Sequence, residues 1–248
     1  MQTLNHSTVE LIKHNAADED VAHAAWVSNF AAGAKTRDTT NIWKLIDFLY
    51  SEKHMSPFEH GSFTFFIDTT LFVGREFMRH RTFSYNETSG RYKELEGRFY
   101  VPPLGRNLTQ VGTPGKYTFA PGTEEHYELM QDAHLTAYNE CWRQYQRQLK
   151  GGIAREVARN VLPLGLYTQF YATANPRNVM QFLILRNDDP ALKEIRDVAI
   201  EIEKHFAAAM PLTYAAFIKE RATWEKIRRI LKDMDIDELY ERLGYDAE

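Results

Sequence analysis

Apolar positions recur along the chain at two periods, and these separate expected helices from expected strands. Asp18 to Phe30 and Thr39 to Tyr50 read as helices, with Asp18 and Thr39 placed as caps. Ser7 to Ile12 reads as a short strand, and Phe58 to Asp68, aromatic and β-branched with partial alternation, as a longer one. Leu71, Phe72, Arg75 and Met78 then fall at helical spacing, which predicts a helix ending near Arg79. Arg98 to Val101 reads as a strand. Pro102 to Gly122 is rich in proline and glycine with little periodicity, and predicts a long surface loop.

The second half is more regular. Thr123 to Leu149 predicts a long amphipathic helix closed by Gly151 and Gly152. Ile153 to Leu162 predicts another, stopped at Pro163, and Leu166 to Thr173 a strand. Asn175-Pro176 has the form of a helix opening, with asparagine as cap and proline in the first turn. Asp189-Pro190 repeats the device before a helix over Ala191 to Met210, and Pro211 onward reads as short charged helices. No βα alternation, internal repeat or G-x-G-x-x-G is present. The expected fold class is α+β: a helix-rich single domain with a small, mainly antiparallel sheet flanked by helices.

Composition narrows the classes. A hydrophobic content of 44% and an aromatic content of 13% suit a packed domain. A net charge of −4 gives no electrostatic reason to expect nucleic-acid binding. No apolar run approaches the roughly 20 residues that span a bilayer, and Met1 to Asn15 lacks a signal-peptide core, so no membrane association and a cytoplasmic location are expected. The single cysteine, Cys141, excludes an internal disulfide and a cysteine-cluster metal site. Its helical spacing with Tyr138 and Tyr145 predicts a small buried helix residue, not a nucleophile.

The densest chemistry lies at Arg79 to Tyr92, R-H-R-T-F-S-Y-N-E-T-S-G-R-Y. Buried charges and amides demand partners, so such a run does not build a core. Arg79, Arg81 and Arg91 each present a donor fork that suits phosphate oxygens. Asn86, Glu87 and Ser89 add donors and acceptors for a base or sugar edge, and Gly90 allows close backbone approach. An anionic, heteroatom-rich ligand such as a nucleotide is expected. Ser89 has no histidine at a recognisable spacing to act as base, so a binding role is expected for it. His54 and His60 lack a third ligand spaced with them, so no metal is expected.

This run resembles the signature of the flavin-dependent thymidylate synthases, R-H-R-x-x-S-x-N-E-x-S-x-R-Y, with all nine fixed positions present. The resemblance continues in S-P-F-E-H (Ser56 to His60), A-R-x-V-L-P-L (Ala158 to Leu164), L-Y-T-x-F (Leu166 to Phe170) and N-P-R-x-x-M-Q-F-L-x-L-R (Asn175 to Arg186). It covers about residues 40 to 218, so 1–218 is expected to be the synthase-like domain and 219–248 a charged helical extension. It implies conversion of dUMP to dTMP with 5,10-methylenetetrahydrofolate as one-carbon donor, FAD as bound cofactor and NADPH as reductant. It also implies a homotetramer with sites shared between subunits, the R-H-R segment and the Arg159/Arg186 region coming from different chains at one site.

Site roles follow from the same resemblance. FAD would meet Ser56, Glu59, Arg79, His80, Arg81, Asn86, Glu87, Asn175, Arg177 and Gln181. The uridylate would meet Glu76, Arg79, Glu87, Thr88, Ser89, Gly90, Arg91, Arg159 and Arg186, and Arg186 is the expected catalytic residue. Three positions depart from the family pattern, at two places. Glu76 stands where glutamine is common and is expected to pair with Arg75 or Arg79, or to contact another part of the ligand. Pro190 and Leu192 stand where histidine and glutamine are common, which puts any flavin contact there in doubt. Two other readings stay open. One keeps flavin and a pyrimidine nucleotide but changes the reaction; the other is a single-stranded nucleic-acid-binding module that stacks bases on Phe83, Tyr85 and Tyr92.

Overall fold

The computed structural model describes residues 1–113 and 117–232, excluding the side chains of 228–232. Its centre is β3 (Phe63–Thr70), covered along nearly its whole length. β3 pairs antiparallel with β2 (Thr8–His14) on one side and with β8 (Tyr167–Ala174) on the other. β4 (Ser84–Glu87) closes the far edge against β8, giving the order β2-β3-β8-β4. The middle of the signature is thus an edge strand. Two smaller pairs lie apart: β1 (Gln2–Leu4) with β5 (Arg98–Tyr100), parallel, and β6 (Asn107–Val111) with β7 (Thr118–Pro121), antiparallel.

Eight helices surround these strands among the described residues: α1 (Asp18–Phe30), α2 (Trp43–Ser51), α3 (Leu71–Phe77), α4 (Glu124–Lys150), α5 (Arg155–Ala158), α6 (Pro176–Arg186), α7 (Lys193–Ala209) and α8 (Pro211–Lys232). The main core joins Phe63, Phe65 and Ile67 of β3 to Phe170 of β8, Phe77 of α3, Phe182 of α6, Phe206 of α7 and Phe217 of α8, all fully buried. Each such side chain contributes roughly 1.5–3 kcal/mol by leaving water. Phe77 and Phe182 approach to 4.4 Å between ring centres, which locks α3 against α6. A second cluster of Phe99, Tyr138 and Leu166 fastens α4, with Phe99 stacked on Tyr138 at 4.9 Å.

The α+β architecture with small, mainly antiparallel sheets matches expectation. Several boundaries differ, each for a local reason. Pro102 to Gly122 holds the β6-β7 hairpin instead of a structureless loop. Its strands are mostly exposed on both faces, so no alternation marks them; Asn107 Nδ2 donates to the Phe119 carbonyl at 3.0 Å and Thr109 Oγ1 to that of Ala120 at 3.0 Å. Ser56–Glu59 forms a short 3-10 helix, and the strand begins only at Phe63. α2 starts at Trp43 without a Thr39 cap. Ile153 to Leu162 yields only α5 and a 3-10 turn over Arg159–Val161.

Two expected caps act elsewhere. Asp18 is the first residue of α1 and does not cap it. Its buried carboxylate instead accepts from the amides of Leu212 and Thr213 at 2.8 and 2.9 Å and from Thr213 Oγ1 at 2.6 Å, capping α8 from a distant element. Asp189 does not cap α7, which begins at Lys193; its carboxylate pairs with Arg196 at 2.9 Å. From Pro211 the chain forms one long helix to Lys232, not several short ones, and the division expected after residue 218 falls within it. Residues 233–248 lie outside the described residues. Among the described residues no helix is long and apolar enough to cross a membrane.

Candidate active site

Three stretches of sequence meet along α6. Asn175 caps it, its side chain accepting from the Asn178 amide at 2.9 Å, and Pro176 fills the first turn as expected. Val179, Met180, Phe182 and Leu183 face the core, which leaves Arg177, Gln181, Ile184 and Leu185 on the outer surface. In the first turn Arg177 forms an ion pair with Glu59, bringing the Ser56–Glu59 turn onto the helix. Asn178 Nδ2 reaches the Thr82 carbonyl at 3.4 Å. In the last turn Arg186 reaches back to the R-H-R segment.

That last contact is the most specific. Arg186 Nε donates to His80 Nε2 at 2.9 Å. Its NH1 donates to a Glu76 carboxylate oxygen at 3.0 Å, and its NH2 to the Glu76 carbonyl at 3.2 Å. Arginine can only donate, so His80 Nε2 must be the unprotonated nitrogen. The His80 ring packs among Phe77, Phe83 and Phe182. Burial, and secondly the Arg186 charge, lower its pKa from 6.5 to about 4, so the imidazole is neutral at pH 7. Glu76 therefore pairs with Arg186, not with the Arg75 or Arg79 expected from sequence.

The other half of the signature lies past β4, whose three steps span about 10 Å at roughly 3.3 Å per residue. Glu87 accepts from Thr168 Oγ1 at 2.6 Å, and the Thr88 amide donates to the Gln169 carbonyl at 2.8 Å. Ser89 Oγ accepts from the Arg91 amide at 3.3 Å. Arg91 pairs with Glu156 of α5 at 2.9 Å, both groups exposed. Gly90 is buried against Arg159: a β-carbon there would lie 3.1 Å from Arg159 Cδ and 2.9 Å from Leu95 Cδ1. One chain therefore gathers Arg186, Glu76 and His80 at one end of β4, and Ser89, Gly90, Arg91 and Arg159 at the other. Arg79, Arg81 and Arg159 have no carboxylate partner among the described residues. Thr168 and Asn178 were missed by sequence reasoning. Thr168 stood within L-Y-T-x-F as a polar residue among buried strand positions, and that was its only signal.

The remaining candidates divide. Arg81, Asn86, Ser56 and Gln181 are exposed with their side chains unbonded among the described residues. Cys141 is half-buried on α4, less enclosed than expected. The base-stacking alternative loses two of its three rings. Phe83 is buried, and Tyr85 Oη is tied to the carbonyls of Phe77 and His80 at 3.0 and 2.8 Å, leaving only Tyr92 open.

Residues 10–212 match the family model described as thymidylate synthase complementing protein. The chain is 49% identical to the "Flavin-dependent thymidylate synthase" of Streptomyces avermitilis over 223 residues, covering 85% of this chain and 90% of that one. Among solved structures it is similar to a UMP/dUMP methylase, PolB, from Streptomyces cacaoi bound with 5-Br dUMP. That match has a TM-score of 0.83 and 39% identity, and covers 88% of this chain and 97% of that one. The same methylase bound with 5-Br UMP superposes with a TM-score of 0.81, at 39% identity over 88% of this chain and 96% of that one. The chain is therefore an enzyme. It belongs to the family of flavin-dependent thymidylate synthases.

Proposed function

We propose that the protein methylates dUMP to dTMP, with 5,10-methylenetetrahydrofolate as one-carbon donor, FAD as bound cofactor and NADPH as reductant, working in the cytoplasm. The carrying observation is that Arg79, Arg81 and Arg159 lack carboxylate partners among the described residues while lying within the family-matched region. Arginines set aside from ion pairs suit an anionic ligand, which the uridylate phosphate supplies. Arg79 and Arg159 hold that phosphate, Arg91 joins them by exchanging Glu156 for it, and Glu87, Thr88, Ser89 and Gly90 line the sugar and base. A homotetramer whose sites combine one end of β4 from each of two subunits is part of the same proposal.

Arg186 is the proposed catalytic residue. Beside the uracil ring, its guanidinium stabilises the negative charge that builds at N3 and the carbonyls as C5 turns nucleophilic. Neutral His80 fixes the plane of that guanidinium through Nε, leaving its terminal nitrogens to face Glu76 or the base. Glu76 is the counter-ion that the incoming uracil edge would replace or share.

The outer stripe of α6 suits a flavin in chemical character. Its polar end combines Asn175, Arg177 and Gln181, and the positive end of the helix dipole there favours a pyrophosphate. Its far end exposes Ile184 and Leu185, an apolar surface for a ring system. In this reading Ser56, Glu59, His80, Arg81 and Asn86 also contact the flavin. Bound flavin supplies reducing equivalents that no side chain can. The protein's own part is to orient the ligands and hold charge.

Incubating the purified protein with dUMP, methylenetetrahydrofolate, FAD and NADPH should yield dTMP, from a protein that is yellow as isolated. Absence of a methylated product would refute the proposal. A second reading, methylation of UMP, is favoured by the likeness to an enzyme described as a UMP/dUMP methylase. Offering UMP and dUMP in the same assay separates the two.

A further inference from the structure

α8 begins at the edge of the family-matched region and continues 20 residues past it, yet it is built into the core. Asp18 caps its first turn, Phe217 is fully buried, Lys219 pairs with Asp47 at 2.8 Å, and Glu220 pairs with Lys53. Those anchors fix where Arg221 stands. From there Arg221 NH2 donates to the carbonyl of Asn187, and NH1 reaches Glu203 Oε1 at 3.3 Å. Glu203 is itself buried, accepting from Asn187 Nδ2 and from Tyr214 Oη at 3.3 Å.

Asn187 is the residue directly after Arg186. Its amide makes the last bond of α6, to the Leu183 carbonyl at 2.9 Å, and its backbone then leaves the helix. Carbonyls at a helix end have no partner within the helix, and that turn frays unless something else binds it. Arg221 supplies the missing donor.

We infer that Arg221 is a positioning residue, which holds the last turn of α6 so that Arg186 stays aligned on His80 and Glu76. The inference deepens the proposed function, since Arg186 acts there on the nucleotide. Arg221 is too far along the chain from the signature to be read with it. Its link to Arg186 runs through one carbonyl and one buried carboxylate.

Arg221→Lys in the full chain is the informative change. Lysine keeps a cation beside Glu203 but loses the fork that bridges Glu203 and Asn187 together. The first readout needs no ligand. His80 faces Phe77, Phe83, Phe182 and Arg186, so its titration, followed by NMR, reports where Arg186 sits. It should rise above about 4 in the variant, read at a temperature where the variant is fully folded, by the part of the shift that Arg186 rather than burial causes. The second readout is dUMP affinity by calorimetry, expected to weaken by about 10-fold, within the range that small misplacements cost. In an Arg186→Ala background the same lysine change should do nothing more. Glu203→Gln, which removes the carboxylate that aims Arg221, should displace the His80 titration in the same direction, and it covers the case in which Arg221→Lys does not fold. A His80 titration unchanged from that of the unmodified protein in every variant that folds overturns the brace, as does an equal loss of dUMP affinity with and without Arg186. If the unmodified protein fails to bind dUMP, the nucleotide assignment falls, and the His80 readout still decides the role of Arg221.

Discussion

Arg186 and His80, 106 residues apart in sequence, are joined by a 2.9 Å hydrogen bond from Nε to Nε2. The bond connects the last turn of α6 to the turn after α3, and the Phe77–Phe182 contact beneath it holds the two helices together. A guanidinium bonded on its Nε edge loses rotational freedom about its stem, so its terminal nitrogens are pre-aimed. Preorganised donors of this sort act on developing charge without reorganising at the moment of reaction.

The neutrality of His80 makes folding stability depend on pH. Its pKa is about 4 in the folded chain against 6.5 when unperturbed. Between those values the unfolded chain binds the extra proton, so stability is full above pH 6.5 and falls as pH drops toward 4. Chemical denaturation across this range should show that slope, and His80→Gln should flatten it. An unchanged slope in the variant would assign the effect to other groups.

Arg186→Lys should lower turnover by at least about 100-fold, the scale of losing one preorganised donor. Lysine preserves the charge but cannot bond His80, the Glu76 carboxylate and the Glu76 carbonyl together. Near-normal steady-state turnover would remove Arg186 from the chemistry.

Ser89→Ala tests a different kind of role. The hydroxyl accepts from the Arg91 amide, and no histidine bonds it among the described residues, so it has no base to activate it. Nucleotide affinity should fall while single-turnover chemistry persists. Complete loss of chemistry with nucleotide binding intact would make Ser89 a reacting group instead.

At Gly90 the constraint is space. An added methyl would press on Arg159 Cδ and Leu95 Cδ1, and Leu95 is half-buried against the Phe99–Tyr138–Leu166 cluster. Gly90→Ala should therefore displace Arg159, weaken nucleotide binding and cost about 1–3 kcal/mol of stability. Calorimetric titration together with a melting curve checks both parts.

Residue identity showed which groups matter, but not which partners they take. Asn175-Pro176 marked the start of α6 because a local cap and a fixed φ act within one turn. The nine signature positions stood out because charges and amides in such density have no place in a core. Glu76 was harder: its candidates, Arg75 and Arg79, were neighbours in sequence, whereas the α3–α6 packing delivers Arg186. The β6-β7 hairpin was hidden for a related reason. Strands mostly exposed on both faces carry no apolar alternation, and their register comes from backbone pairing and a few side-chain bonds to carbonyls across the hairpin.

Asp18 shows the same non-local logic in a form that can be weighed. Sequence placed it as the cap of its own helix, yet its carboxylate bonds two amides and a hydroxyl at the start of α8, 194 and 195 residues away. Asp18→Ala would leave the Leu212 and Thr213 amides without their acceptor in a buried setting, where each orphaned donor costs about 1–3 kcal/mol. Water entering the gap would recover part of that, so a net loss of about 2–4 kcal/mol is expected, above the range of an ordinary exposed cap. Asp18→Asn retains one acceptor oxygen and should lose less. Since α8 carries Arg221, thermal melts of the two variants should rank alanine below asparagine below the unmodified protein, and the His80 titration should shift in the same order. Equal stability of all three would mean that α8 is held by its apolar face alone.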